Sequence, residues 1–102
     1  MPEERRNTRR VKATEPIPVL YPEYEATLRD LSEDGAFIED KRPLKVGQTL
    51  RLRVPRDHGG IDILAMVRRV EPGRGMGVEF LEMNYSSREQ LRQLVARLSA
   101  PA

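Results

Sequence analysis

Apolar and polar residues alternate with a period of two along most of this chain, then switch to a helical period near its C-terminus. Tyr24, Ala26 and Leu28 alternate with Glu25, Thr27 and Arg29, which predicts a strand with one buried face. A polar break at Asp30–Gly35 follows, and Ala36-Phe37-Ile38 resumes an extended run. Leu50, Leu52 and Val54 alternate with Thr49, Arg51 and Arg53. Ile61, Ile63, Ala65 and Val67 mark a longer strand, where Leu64 and Met66 on the opposite phase predict partial burial of both faces. Met76–Leu81 is the last extended run. Turn chemistry separates these segments at Lys45-Val46-Gly47-Gln48, Asp57-His58-Gly59-Gly60 and Pro72-Gly73-Arg74-Gly75. Near the N-terminus, Pro16, Pro18 and Pro22 restrict a strand around Ile17–Tyr21 to an edge position, because proline has no N–H to donate.

Leu91, Leu94, Val95 and Leu98 recur at i, i+3, i+4 and i+7, one apolar stripe of a helix over about residues 87–99. Ser86 with Glu89, or Ser87 with Gln90, supplies a capping box, and Pro101 lies beyond the helix end. The sum predicts a mainly β fold: a small six-stranded antiparallel β-barrel with a C-terminal α-helix whose stripe packs at a barrel mouth.

With 102 residues, 38% hydrophobic and 33% charged, the chain suits one domain with a thin core. Residues 15–102 are expected to form that domain, preceded by a flexible, Arg-rich leader over residues 1–14. No apolar run approaches the roughly 20 residues that span a bilayer. Charged residues and Pro16 interrupt any signal-peptide pattern, so a cytoplasmic location is expected. Cysteine is absent, which removes disulfides and thiolate metal sites. His58, the single histidine, has no partner ligands in the sequence, and no metal site is expected. No catalytic constellation emerges either, since Ser32 lacks a base partner. Gly73-Arg74-Gly75-Met76-Gly77 looks like a phosphate loop but leads into a strand, without the helix N-terminus such loops use.

The net charge of +2 hides an uneven distribution: Arg5, Arg6, Arg9 and Arg10 all fall in the first ten residues. A local basic cluster points to a local anionic ligand. Two overlapping Arg-x-x-x-Arg registers exist, Arg5 with Arg9 and Arg6 with Arg10. Twenty positions after Arg10 begins Asp30-Leu31-Ser32-Glu33-Asp34-Gly35. A guanidinium fork donates bidentately to phosphate oxygens and to guanine O6 and N7. A carboxylate can accept from the guanine N1–H and N2–H₂ edge. Ser32 can bond a ligand or stabilise the turn, and Gly35 permits positive φ or close approach of backbone to ligand.

Arg-x-x-x-Arg followed by Asp-x-Ser-x-x-Gly at a strand end resembles the PilZ domain, a bacterial receptor for cyclic di-GMP. Gly35-Ala36-Phe37-Ile38, the Val46-Gly47 turn, Val67-Arg68-Arg69-Val70, Gly77-Val78-Glu79-Phe80 and the terminal helix also look like that family. The proline-rich stretch from Pro16 to Pro22 departs from its smoother first strand. The resemblance favours the Arg6/Arg10 register, because Val11 follows Arg10 as the first apolar strand residue. It implies a cyclic di-GMP site made of Arg5, Arg6, Arg10, Asp30, Ser32 and Gly35. Arg5, immediately before the motif, implies preference for an intercalated pair of ligand molecules.

In this reading the leader folds over the nucleotide, Arg6 and Arg10 hold it against Asp30 and Ser32, and a protein partner reads the changed surface. At this length no output domain is expected, so the chain would act as a stand-alone receptor or adaptor in motility, pilus or exopolysaccharide control. No cofactor beyond the ligand is implied. The alternative is a PilZ-like protein-interaction adaptor that does not use the nucleotide, which retention of both motifs argues against. A nucleic-acid-binding barrel would need aromatic stacking platforms. Two Phe, three Tyr and no Trp leave few residues for one, so neither DNA nor RNA is expected as partner.

Overall fold

The structure, a computed structural model, describes residues 10–21, 24–57 and 59–100. Six strands precede one helix: β1 (Val11–Tyr21), β2 (Tyr24–Leu31), β3 (Gly35–Glu39), β4 (Thr49–Arg56), β5 (Gly59–Glu71), β6 (Gly75–Glu82) and α1 (Tyr85–Ser99). They close a barrel in the order β1-β2-β3-β6-β5-β4, with antiparallel neighbours throughout. The expected six-stranded antiparallel barrel with a C-terminal helix is therefore the fold.

Alternation sets the barrel wall. In β4, Leu50, Leu52 and Val54 are buried while Thr49, Arg51 and Arg53 face outward. Ile61, Ile63, Ala65 and Val67 do the same in β5, with Leu64 and Met66 half-buried as the two-phase pattern predicts. These side chains form one core with Val19, Leu28, Ile38 and Met76. Leu91, Leu94 and Val95 of α1 complete it, and the helix packs against β5 and β1.

Two boundaries differ from the sequence expectation. β1 starts at Val11, where the resemblance put the first strand residue, so residues 11–14, read as leader from their composition, belong to the barrel. Val11 is buried and pairs with Leu31, so burial outweighs the polar composition around it. The helix starts at Tyr85, and its cap is Asn84, whose side-chain oxygen accepts from the Ser87 N–H at 2.8 Å. Ser87 is not a capping residue because its buried hydroxyl accepts from the Asp62 N–H at 2.9 Å, tying α1 to β5.

Pro16 sits where the ladder tolerates it, Pro18 pairs with Thr27 in the regular stretch, and Pro22 lies outside the described residues. The β1–β2 register shifts between Lys12 and Ile17, which places Pro16 in the irregular stretch. The expected edge position is not what the fold gives, because the barrel is closed and β1 lies between β2 and β4. Among the described residues the β1–β4 pairing is at Leu20 and Arg53, a sparse ladder that leaves few N–H groups for a proline to withhold.

Candidate functional site

The Asp30–Gly35 motif ends β2, turns and opens β3. Its turn is held by Ser32, which is 2% exposed. The Ser32 hydroxyl accepts from the N–H groups of Asp34 at 3.2 Å and Gly35 at 3.1 Å. Its hydroxyl oxygen lies 2.7 Å from Asp34 Oδ1 and 3.3 Å from the Gly35 carbonyl, so its one hydrogen also has a partner within the loop. One donor and two lone pairs are all a hydroxyl has. Ser32 would therefore reach a ligand only by surrendering one of these bonds.

Gly35 has a different reason from the one expected. Its φ is not positive; among the described glycines only Gly47, Gly59 and Gly73 are left-handed. A Cβ on Gly35 would lie 2.6 Å from the Val78 carbonyl oxygen, so the residue is glycine because β6 approaches closely. The close backbone approach is to a neighbouring strand. Two further bonds pin the loop: the Phe80 N–H donates to the Asp34 carbonyl at 2.8 Å, and Arg92 of α1 lies 3.7 Å from the Glu33 carboxylate.

Asp30 faces the outer surface. Its carboxylate is 3.3 Å from the Arg10 guanidinium, which stands half-exposed just before β1. The two motifs, twenty residues apart in sequence, thus meet in space. Lys12 pairs with Asp30 across β1 and β2. Arg5 and Arg6 lie outside the described residues, as does His58.

Sequence reasoning missed Arg29, Phe37 and Arg69. Leu28 pairs with Ile38 and Asp30 with Phe37, so Arg29 is an extra residue, a β-bulge. The bulge lets Leu28 and Leu31 both enter the core while Arg29 and Asp30 both stay outside. The Arg29 guanidinium lies 3.9 Å from the centroid of the Phe37 ring, and its Nε is 3.6 Å from Asp30. Arg69 approaches the same ring at 5.7 Å. Phe37, only 2% exposed, lies against β6 at Gly75, where a Cβ would sit 2.7 Å from the ring. The signal was present: Leu28 and Leu31 are three apart, which strict alternation cannot bury on one face.

A hollow of about 760 Å³ lies elsewhere, lined by Leu20, Tyr21, Arg53, Ile63, Leu64 and Met83 among others. None of the motif residues lines it, and Arg53 there is paired with Asp62 at 2.7 Å. Its mostly apolar wall offers little to an anionic ligand, so the charged Arg10–Asp30 surface is the better candidate. Among the described residues no group of three or more His, Asp or Glu is placed to hold a metal ion. No helix among them is long and apolar enough to cross a membrane.

A small closed barrel with an arginine meeting an Asp-x-Ser-x-x-Gly turn defines a class of domain, and the sequence places the chain within it. The family model of the PilZ domain matches residues 4–97, and the chain belongs to that family. Comparison with curated proteins finds no match. Among solved structures, the Bacillus subtilis inhibitor of motility is similar, with 24% identity and a TM-score of 0.75 over 93% of this chain and 51% of that one. YcgR from Escherichia coli in complex with c-di-GMP is similar at 19% identity and a TM-score of 0.74, over 93% of this chain and 46% of that one. The PilZ domain of CeSA from a cellulose-synthesizing bacterium follows at 24% identity and 0.64, over 90% and 99%. The chain spans about half the length of the first two.

Proposed function

We propose that this chain is a receptor for cyclic di-GMP that signals through a protein partner in the cytoplasm, in control of motility, pili or exopolysaccharide. The observation that carries the reading is the 3.3 Å approach of Arg10 to Asp30, which joins the two motifs into one surface. Arg6 and Arg10 hold phosphate and guanine oxygens by bidentate donation. Asp30, freed from Arg10 as that guanidinium turns to the ligand, accepts from the guanine N1–H and N2–H₂ edge. Ser32 and Gly35 keep the turn that aims Asp30, and Arg5 favours a second ligand molecule. The loop contacts to β6 and α1 give the bound state a route to the surface that the partner reads. Family membership supports the reading, as does likeness in fold to YcgR, whose structure holds c-di-GMP. Likeness to an inhibitor of motility supports the motility assignment.

Isothermal titration of cyclic di-GMP tests it. The wild type is expected to bind at micromolar Kd or tighter, about −8 kcal/mol or better. Arg6→Ala, Arg10→Ala and Asp30→Ala should each lose most of that affinity, and GMP and cyclic di-AMP should bind poorly. Folded wild type that takes up no ligand overturns the reading.

A further inference from the structure

We propose that Arg29 is a further ligand-binding residue of this site: its guanidinium, stacked on Phe37, is a platform for a planar purine base. The inference rests on the cyclic di-GMP reading and adds to it a residue outside both motifs.

Three observations carry it. The β2 bulge at Arg29 turns a residue that alternation would separate from Asp30 onto the same outer face. There the guanidinium sits 3.9 Å from the Phe37 ring centroid, within cation–π range, and its Nε lies 3.6 Å from Asp30. The ring is itself held down. Phe37 pairs with Gly77 and lies against Gly75, where the absence of a Cβ makes room for the ring. Arg69, paired with Gly77 across β5 and β6, flanks the ring at 5.7 Å.

Phe37 is 2% exposed beneath the guanidinium, while 37% of the Arg29 side chain is exposed. The exposed part is therefore the face turned away from the ring. A delocalised planar cation backed by an aromatic ring, with a carboxylate beside it, matches a base that stacks through its face and donates from its edge. In this arrangement the arginine does the stacking and the phenylalanine stiffens it.

Lysine separates stacking from charge, since it keeps the cation and loses the plane. Cyclic di-GMP is titrated into the wild type, Arg29→Lys, Arg29→Ala and Phe37→Leu, with ultraviolet absorbance recorded at saturation to read base stacking as hypochromism. Thermal melts confirm that each variant is folded. Arg29→Lys and Arg29→Ala should both weaken binding about tenfold or more and lose much of the hypochromism, as removal of a stacking partner does. Phe37→Leu, if folded, should weaken binding in the same direction. Wild-type affinity and hypochromism in Arg29→Lys overturn the platform, and wild-type affinity in Arg29→Ala overturns any role. A wild type that binds no ligand overturns the receptor reading itself and the platform with it.

Discussion

Two connections of three residues each join antiparallel strands in this barrel, and they reach their shapes by different means. Pro72–Arg74, between β5 and β6, turns through a left-handed Gly73 with φ +76 and a 2.9 Å bond from the Arg74 N–H to the Glu71 carbonyl. Its side chains are exposed and its ion pair, Arg74 with Glu71 at 3.9 Å, is local, while the Arg74 carbonyl accepts from the Asp40 N–H at 3.0 Å. Ser32–Asp34, between β2 and β3, has no left-handed glycine. It is held by a buried hydroxyl, by a strand that approaches within contact of Gly35, and by bonds to β6 and α1. Both turns take a backbone bond from another strand or loop, and both are followed by a glycine packed on a neighbouring strand. What separates them is the left-handed Gly73 in one and the buried Ser32 hydroxyl, with the Arg92–Glu33 pair to α1, in the other. A turn fixed from several sides is where a carboxylate such as Asp30 can be aimed reproducibly, which is what a binding site needs.

The contrast predicts a ranked series of thermal stabilities. Gly35→Ala should cost the most, about 3 kcal/mol, because its Cβ meets backbone and β6 must move. Ser32→Ala comes next at about 2 kcal/mol, since it strips two N–H groups of their acceptor in a buried turn. Gly73→Ala should cost about 1 kcal/mol, for the left-handed φ alone, because nothing lies within 4 Å of its Cβ. Arg74→Ala should fall below about 0.5 kcal/mol, as expected for an exposed pair. In a domain of this size each kcal/mol moves Tm by about 5 °C, so calorimetry resolves the first three. Gly73→Ala matching Gly35→Ala would mean that the two turns do not differ in kind.

Ligand binding sharpens the contrast from the other side. Arg10→Ala should leave Tm nearly unchanged, because Arg10 is half-exposed and Asp30 keeps Arg29 beside it, yet remove most cyclic di-GMP affinity. Ser32→Ala should lower both. Equal loss of stability in Arg10→Ala would make that arginine a structural residue.

Much of this was readable from residue order. The strands followed from alternation at Leu50–Val54 and Ile61–Val67, and the helix from the stripe at Leu91–Leu98. These are local signals, because a side chain's face depends on its position within its own element. The helix start was misread by two residues, since Asn84 offered a cap that two nearby serines appeared to offer as well. Composition alone put residues 11–14 in the leader, although the motif resemblance opened the strand at Val11, because the partner that buries Val11 is Leu31, far along the chain.

Residue types and spacing were enough to specify six strands, a terminal helix and the two motifs, since composition and period act within a few residues. Tertiary structure alone set the strand order that inserts β6 between β3 and β5, and so the reason for Gly35. It also brought Arg10 to Asp30 and placed Arg29 on Phe37. Those outcomes depend on register shifts and on contacts between strands distant in sequence, which arise only once the barrel has closed and every buried apolar side chain has found its face.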